Sequence, residues 1–433
     1  MPTTPRHRHG RPGPSVPLAR RTFLGGALGA GGLAALAGCG GGSSGDAAAG
    51  GVTFGLNANA AIPTAGYDAV FRAFTEETGT AVTVNRLLYT EQVNNYLQSA
   101  PDDVLIWNAG YRMRFFAEQG LVGDLSEVWA EVGDGVADGV RQACTAADGQ
   151  QYLVPFYTYP WVVYYRPSLF AENGWEVPTT LDELESLGSA MQGKGVTPFA
   201  FADQEGWEAM GTFDALNMRV NGYDFHLSLL DGAESWTDPR VRETFRVWEQ
   251  LLPLHQTGAL GRTWQDAAAS VQRGESAMLL MGSFVLDQFE GPDRDDLDFF
   301  VYPEVEAEHG QDAVDAPVDG FMMVADPDNR DGSLELLRYL GTGAAQDVYA
   351  QTDANTVGTA ADVDTAAYSP LQQKFVEVLA STPNLAQYLD RDTRPDFAAP
   401  AVIPALQAFI EDPSGVEAVL EQVQQQAEAT FVD

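Results

Sequence analysis

The chain has 433 residues, of which 45% are hydrophobic and 20% are charged, a composition typical of a globular protein and not of a disordered or fibrous one. Sixty-one acidic residues against 24 lysines and arginines give a formal net charge of −37. A field of this sign repels nucleic-acid phosphates, and since the sequence has no basic patch to offset it, we expect no nucleic-acid partner. At about 150 residues per domain, the length predicts two or three domains.

The N-terminal residues have the composition of an export signal. Residues 1–38 contain five arginines and no acidic residue, and they end in an apolar run over 22–37. This run is too short and too rich in glycine to span a bilayer as a helix, but it suits the hydrophobic region of a signal peptide. Arg20 and Arg21, followed by Thr-Phe-Leu, resemble a twin-arginine signal, which exports proteins in the folded state.

The signal region ends in the sequence LAGC, which resembles a bacterial lipobox with Cys39 as its cysteine. In that motif the cysteine is acylated and becomes the first residue of the mature protein, and two acyl chains give stable anchoring. We therefore expect a lipoprotein held at the outer face of the cell membrane. Residues 39–51, rich in glycine, alanine and serine, predict a flexible tether. Only Cys144 would remain as a free thiol, so no intrachain disulfide is predicted.

After the tether, strand-like and helix-like segments alternate. Apolar spacing predicts strands at 52–57, 80–88 and 103–107 and helices at 67–78, 90–99 and 111–119. This βαβαβα order predicts a parallel sheet with helices on both faces. Ligands of such sheets bind beyond the carboxyl ends of the strands, so we expect a crevice near 57–67 and 107–112.

The rest of the chain continues this α/β pattern. Strands are predicted at 152–157, 161–166, 277–281, 297–302 and 321–325. Helices are predicted to begin at the capping box of Thr180 and the Asp238-Pro239 pair, and to cover 241–255, 333–342, 371–379, 402–410 and 416–430. Two α/β lobes that share several crossovers fit this order better than two independent domains.

The motifs of common enzymes are incomplete or misplaced. Residues 188–195, GSAMQGKG, nearly match a phosphate-binding loop, but a glycine replaces the hydroxyl residue that should hold magnesium. Beyond the signal region only three dispersed histidines remain, so we expect no metal and no cofactor. With 61 carboxylates, the pattern neither selects nor excludes an acid/base pair for glycoside hydrolysis.

Four tryptophans, Trp107, Trp161, Trp207 and Trp264, fall at the ends of predicted elements beside polar residues. Sugars present C–H groups on one face and hydroxyls around the rim, which suits a flat ring flanked by amides or carboxylates. For each ring alone, packing in a core explains its position equally well. The interpretation as a sugar site therefore depends on the whole set.

Five segments in order carry a resemblance that covers nearly the whole chain from residue 52 onward. They read PDDVLIW, GQQYLVPFYTYPWVVYYRPSLFAENGWEVPTTLDEL, SWTDPRVRETFRVWEQLL, WQDAAASVQRGESAMLLMGSF and VDGFMMV. Behind a lipobox, this order is similar to the family 1 extracellular solute-binding proteins of carbohydrate ABC importers. The resemblance implies a protein without enzymatic activity that captures a sugar or oligosaccharide and docks, in its closed form, on a membrane permease driven by a cytoplasmic ATPase.

The same resemblance implies an α/β fold of the two-lobed, type II periplasmic-binding-protein class, with hinged lobes joined by crossover segments. The first lobe would comprise 52–156 and 315–365, and the second 157–314 and 366–433. We expect a monomer.

Site residues are also implied by the resemblance. Asn108 stands where the family often has a polar partner for sugar hydroxyls, next to Trp107. Phe284 stands where many relatives have tryptophan, and the segment DRDTR, which ends at Arg394, would present an arginine to the cleft. The other expected contacts are Asn57, Tyr157, Tyr159, Trp161, Trp207, Asp214, Trp264, Gly282, Ser283, Asp319, Gly320 and Phe321.

Two other functions fit parts of the sequence. One is a lipid-anchored glycoside hydrolase, because carboxylates are abundant. The other is a binding protein for a cationic ligand such as a polyamine, because the chain is strongly acidic.

Overall fold

The computed structural model describes residues 50–57, 64–87, 93–99 and 101–432. The twelve strands within these ranges are β1 (Val52–Asn57), β2 (Val82–Leu87), β3 (Val104–Asn108), β4 (Val154–Thr158), β5 (Trp161–Tyr165), β6 (Thr197–Phe199), β7 (Ser276–Gly282), β8 (Asp298–Phe300), β9 (Ala313–Asp315), β10 (Val318–Met323), β11 (Val357–Gly358) and β12 (Asn384–Ala386). The predicted strands are present, with ends displaced by a few residues.

The α-helices of the described ranges are α1 (Thr64–Thr78), α2 (Val93–Ser99), α3 (Tyr111–Glu118), α4 (Ser126–Val132), α5 (Asp138–Ala143), α6 (Pro167–Asn173), α7 (Leu181–Gly193), α8 (Glu208–Asn221), α9 (Tyr223–Leu230), α10 (Pro239–Leu251), α11 (Trp264–Gln272), α12 (Pro292–Asp295), α13 (Arg330–Leu340), α14 (Gly343–Ala350), α15 (Pro370–Ser381), α16 (Pro395–Phe397), α17 (Ile403–Glu411) and α18 (Val416–Thr430). Short 3-10 turns lie at Leu252–Leu254, Ala259–Gly261, Ser283–Gln288, Thr365–Ala367 and Pro413–Gly415, and a π turn lies at Ala398–Val402.

Helix starts follow the capping residues seen in the sequence. The side chain of Thr180 accepts a hydrogen bond from the backbone N–H of Glu183 at the start of α7. Asp238 caps α10, whose first residue is Pro239. Such caps satisfy backbone donors that have no partner inside the helix. Trp248 of α10 is fully buried, as its place on the apolar helix face predicts.

The larger sheet has the strand order β11-β4-β10-β3-β1-β2. β1 pairs in parallel with β2 and β3, as the βαβαβα order predicts. The sheet as a whole is mixed, because β10 pairs antiparallel with both β3 and β4. The prediction of a parallel sheet therefore holds for its first three strands only. β10 lies between β3 and β4, two strands that precede it in the chain.

The smaller sheet has the order β6-β7-β5-β8. β4 and β5 are neighbours in the chain but belong to different sheets, so the backbone crosses between the sheets over residues 159–160. β9 and β12 form a separate parallel pair in the segments that lead from one sheet to the other. Within the described residues, both sheets belong to one compact unit.

Each sheet has its own hydrophobic core. One core draws on residues between 52 and 157 and between 314 and 349, together with Leu385. The other draws on residues between 161 and 302 and between 357 and 427. The lobe boundaries given above stay a prediction.

The predicted export signal, with Arg20, Arg21 and Cys39, lies outside the described residues, as do all but the last two residues of the tether. Cys144 is buried and is a free thiol. Among the residues that the structure describes, no helix combines the length and the apolar character that crossing a membrane requires.

Candidate functional site

A cavity of about 540 Å³ opens where strands of both sheets end. Its volume lies in the range of small-molecule sites in proteins. Its walls come from both sheets and from the segments that join them. The lining residues are Ile106, Trp107, Asn108, Tyr157, Tyr159, Trp161, Glu205, Trp207, Trp264, Ser283, Phe284, Asp287, Pro317, Asp319, Tyr349, Asp353, Asn355, Thr356, Tyr388, Asp390 and Arg391.

One wall of the cavity is a cluster of aromatic rings around Phe284. The centroid of the Phe284 ring lies 6.0 Å from that of Trp161 and 6.0 Å from that of Trp207. The Trp264 ring is 5.4 Å away and the Tyr159 ring 6.3 Å away. All four contacts are edge to face, the arrangement that aromatic quadrupoles favour. The cluster therefore holds its rings in defined orientations.

Strand pairing and helix capping bring these rings together. Trp161 begins β5 and lies opposite Gly282, the last residue of β7, so the turn after β7 carries Phe284 to the same edge. Trp264 is the first residue of α11, which Thr263 caps. The rings meet because each stands at the end of its element.

Tyr388 supports this wall from behind. Its ring stacks on Trp161 at 4.4 Å and 25°, and its hydroxyl donates to the carbonyl of Trp207 at 2.5 Å and accepts from the N–H of Gly211 at 3.0 Å. Tyr388 has a φ of 87°, the one positive φ among the described non-glycine residues. A Cβ on Gly211 would lie 2.6 Å from the Trp161 ring, so only glycine lets α8 approach that ring. These contacts hold Tyr388 in a conformation that side chains rarely adopt.

The rings differ in how much surface they offer. Trp161 is 5% exposed and closes the wall, whereas Trp207, Trp264 and Phe284 are half-buried. The indole N–H of Trp207 donates to Glu205 at 2.9 Å, which fixes the tilt of that ring. The surface available for stacking is therefore supplied mainly by the three half-buried rings.

A second part of the cavity wall is polar. Asn108 pairs with Asp319 across β3 and β10. Asp319 accepts from the Arg391 guanidinium at 2.7 Å, and Asp390 forms an ion pair with Arg112 at 3.2 Å. Burial is the largest single influence and lowers the pKa of Arg391, but the neighbouring groups, Asp319 first and then Tyr159 and Asp390, together raise it above its ordinary value.

A second polar group lies beside Ser283. The side-chain amide of Asn355 donates to Asp287 at 2.6 Å, and its backbone N–H donates to Asp353 at 2.9 Å. The Ser283 hydroxyl donates to the carbonyl of Asn355. Burial raises the pKa of Asp353; the N–H of Asn355 opposes this, and the charge of Asp287 adds to it.

The structure brings ten of the predicted site residues to the cavity. These are Trp107, Asn108, Tyr157, Tyr159, Trp161, Trp207, Trp264, Ser283, Phe284 and Asp319. Their roles toward a ligand stay predictions. The side chain of Asn57 lies outside the described residues.

Asp214 is not part of the cavity surface. It is fully buried in α8, where it accepts from the N–H of Leu389 at 2.7 Å and lies 3.7 Å from the His226 ring. Burial first, and then the charge of Asp315, raise the pKa of Asp214, and burial lowers the pKa of His226 to about 3. Asp214 thus supports the segment that carries Tyr388 and does not face the cavity.

The remaining predicted residues also lie behind the cavity surface. A Cβ on Gly282 would meet the Phe284 ring at 2.5 Å, and one on Gly320 would lie 2.1 Å from the carbonyl of Val154. Phe321 is fully buried, and its ring packs against Phe54, Tyr67 and Phe156 in the core of the larger sheet. These residues shape the walls but do not line them.

Arg394 is outside the cavity as well. Its guanidinium pairs with Asp396 at 2.8 Å and lies 5.5 Å from the centre of the Phe115 ring. The arginine of this segment that lines the cavity is Arg391. The sequence pattern identified the right segment, but the turn after Tyr388 decides which of its arginines points inward.

Sequence reasoning missed the lining residues of two irregular segments. One contains Asp353, Asn355 and Thr356, and the other contains Tyr388, which lies just before the DRDTR segment. Neither segment has a periodic pattern, since neither belongs to a helix or a strand. Within the described ranges, no group of three or more His, Cys, Asp or Glu side chains is arranged to hold a metal ion.

Known bacterial solute-binding proteins are similar to this chain in sequence and in structure. Residues 57–347 match the model of a family described as bacterial extracellular solute-binding protein. A solved structure of the bacterial solute receptor AcbH, described as having an exclusive substrate preference for β-D-galactopyranose, is 38% identical and has a TM-score of 0.82 over 88% of this chain and 98% of that one. This likeness confirms the predicted two-lobed, type II α/β fold.

Curated relatives match over shorter spans. An uncharacterized ABC transporter extracellular-binding protein of Pyrococcus horikoshii is 24% identical over 66% of this chain and 64% of its own length. A probable sugar-binding periplasmic protein of Rhizobium meliloti is 28% identical over 42% of this chain and 44% of its own length. The chain thus spans less than two thirds of the length of these relatives.

Proposed function

This chain belongs to the bacterial extracellular solute-binding proteins, and on that premise we propose that it captures a sugar in the central cavity and delivers it to the permease of an ABC importer. The observation that carries the proposal is the pairing of a fixed aromatic wall with a polar wall inside one cavity. Rings can cover the C–H face of a sugar while carboxylates and amides bind its hydroxyls. The family description places the protein outside the cytoplasm.

The lining residues come from the cores of both sheets, which supports a mechanism in which the cavity closes on its ligand. Trp107 belongs to the core of the larger sheet and Trp161 to that of the smaller one. A ligand that touches both sets of residues favours whichever conformation brings them together, in proportion to its extra affinity for that conformation. A permease that recognises only the closed form would then distinguish loaded from empty protein.

A sugar panel titrated into the purified chain by calorimetry, with analysis for products, tests this function. We expect saturable binding of at least one sugar at millimolar concentration or below, with the sugar recovered unchanged. Release of new reducing ends would instead identify a glycoside hydrolase, and a response to polyamines alone would identify a receptor for cations. Absence of binding by every sugar would refute the proposal.

Matched tryptophan variants locate the site. Covering about 50 Å² of sugar C–H surface is worth roughly 1.3 kcal/mol, so Trp264→Ala should weaken sugar binding by about tenfold. Trp175 is half-buried and packs on Phe170 away from the cavity, so Trp175→Ala serves as the control and should leave the affinity unchanged.

We also propose that Cys39 carries the lipid anchor and that Arg20 and Arg21 direct twin-arginine export, since the sequence motifs support both roles. Cys39→Ser should abolish incorporation of labelled fatty acid and release the protein from the membrane fraction. Replacement of both arginines by lysine should retain the precursor in the cytoplasm. We propose a monomer, which light scattering of the purified protein tests.

A further inference from the structure

We propose that the cavity accepts neutral and amine-bearing sugars and rejects sugars that carry a carboxylate or a phosphate. This inference rests on the proposed function and adds the charge of the ligand to it. It follows from the balance of charged groups in the cavity walls and from the hydrogen-bonding groups that they leave available.

Carboxylates outnumber cations in the cavity walls. The lining carboxylates are those of Glu205, Asp287, Asp319, Asp353 and Asp390, and Arg391 is the one lysine or arginine among the described lining residues. The guanidinium of Arg391 is engaged by Asp319 at 2.7 Å. Asp390 is balanced by Arg112, at 3.2 Å. An incoming anion therefore finds the cation of the wall already paired.

Three of the five lining carboxylates lie outside these two ion pairs. Among the described residues, no lysine or arginine side chain forms an ion pair with Glu205, Asp287 or Asp353. Asn355 bridges Asp287 and Asp353, since its side-chain amide donates to Asp287 at 2.6 Å and its backbone N–H donates to Asp353 at 2.9 Å. Because Asp287 contributes to the raised pKa of Asp353, the two carboxylates are close enough to repel each other. A third negative charge brought by a ligand would add to this repulsion.

The guanidinium of Arg294 lies beside this acidic pair and offsets only part of its charge. Arg294 donates to the side-chain oxygen of Asn355 at 2.8 Å and to the carbonyl of Ala354 at 3.3 Å. It also donates to the carbonyl of Leu286 at 3.0 Å. One guanidinium beside the two carboxylates of Asp287 and Asp353 leaves this group with a net negative formal charge, which repels an incoming anion.

The charged groups of the cavity walls are mostly carboxylates, whose ionised oxygens only accept hydrogen bonds. Acceptors require donors, which sugar hydroxyls and protonated amines supply and ionised carboxylates or phosphates do not. Like charges in a partly enclosed cavity also repel more strongly than in bulk water and are screened less by salt.

Matched sugars test this inference. D-galactose, D-galactosamine and D-galacturonate, and the three corresponding gluco sugars, are titrated into the full chain at neutral pH and low salt. We expect each uronate to bind at least about tenfold more weakly than its neutral parent, and the amino sugars to bind as tightly as the parent or more tightly.

Charge-neutral variants assign the effect to the cavity. Asp287→Asn should reduce the ratio of uronate to parent dissociation constants by about threefold or more. Asp293 is an exposed carboxylate outside the cavity, so Asp293→Asn serves as the control and should leave the ratio unchanged. Should Asp287→Asn fail to fold, Glu205→Gln replaces it, since the glutamine oxygen can still accept from Trp207.

The outcomes separate the two proposals. Equal binding of a uronate and its parent, binding of a uronate alone, or an unchanged ratio in both cavity variants overturns the charge inference while leaving a sugar receptor in place. Failure of every probe, charged and uncharged, counts against the proposed function itself and removes this inference with it.

Discussion

Replacing Glu208 by glutamine should stabilise the protein more strongly in mildly alkaline solution than in mildly acidic solution. Glu208 begins α8, directly after Trp207 of the cavity, and is 4% exposed. Neither of its carboxylate oxygens has a hydrogen-bond partner of ordinary geometry among the described residues. Burial first, and then the charges of Asp203 and Glu205, raise its pKa from 4.5 to about 7. The carboxylate is therefore poorly accommodated in the fold.

The size of the effect follows from linkage. An acid whose pKa rises on folding stabilises the fold below its unfolded pKa, and this contribution is lost as the pH rises through the folded pKa. A shift from 4.5 to about 7 corresponds to a cost of about 3 kcal/mol at about pH 8 but under about 1 kcal/mol at about pH 5. Since glutamine does not titrate, the gain from Glu208→Gln should be larger by about 2–3 kcal/mol at the higher pH.

Urea unfolding followed by tryptophan fluorescence measures this difference. The free energy of unfolding of both proteins is determined at each pH, and only the change between the two pH values is interpreted, so any packing effect of the amide cancels. Glu290 is exposed, and Glu290→Gln should show no such pH dependence. An equal effect of Glu208→Gln at both pH values would refute the reasoning.

Three further predictions concern the walls of the cavity and their support. Tyr388→Phe removes a hydroxyl that bonds two backbone groups near the start of α8, so unfolding free energy should fall by about 1–3 kcal/mol in urea titrations; an unchanged value would contradict this role. Gly320→Ala would place a Cβ 2.1 Å from a β4 carbonyl and should lower the melting temperature by several degrees or prevent folding, whereas Gly193→Ala, with nothing within 4 Å, should not. The imidazole of His226, whose pKa burial lowers to about 3, should stay neutral at about pH 5 in NMR spectra, and a titration near the ordinary pKa of about 6.5 would be inconsistent with its burial. Because its pKa is depressed on folding, the protein should lose stability from this group as the pH falls below about 6.5.

Local patterns in the sequence were sufficient for much of the fold. Caps and amphipathic faces involve residues within one or two turns of each other, so the starts of α7 and α10 and the burial of Trp248 follow from short segments. The same holds for the placement of aromatic residues at the ends of elements. Trp161 and Trp264 line the cavity because chain direction carries the ends of adjacent elements to one edge.

Pairings between distant segments were not accessible in this way. β10 follows β3 by about 210 residues, and its antiparallel register with β3 and β4 depends on the crossings between sheets. The hydrophobic pattern of a strand indicates that the strand is buried, but it does not specify which strand it pairs with or in which direction. The predicted parallel arrangement of the first three strands is confirmed, but it does not extend to β10 and β4 for that reason.

The chain's own sequence determined its class and most of the aromatic wall, since these depend on composition, spacing and local geometry. Only the tertiary structure decided that Arg391 rather than Arg394 lines the cavity, and that Asp287 and Asp353 approach each other there. Tyr388 illustrates the reason. Its positive φ is unfavourable for an isolated tyrosine. Stacking on Trp161 and hydrogen bonds to α8 and to the residue before α8 maintain this conformation. These contacts join segments more than 170 residues apart, so no local pattern encodes them.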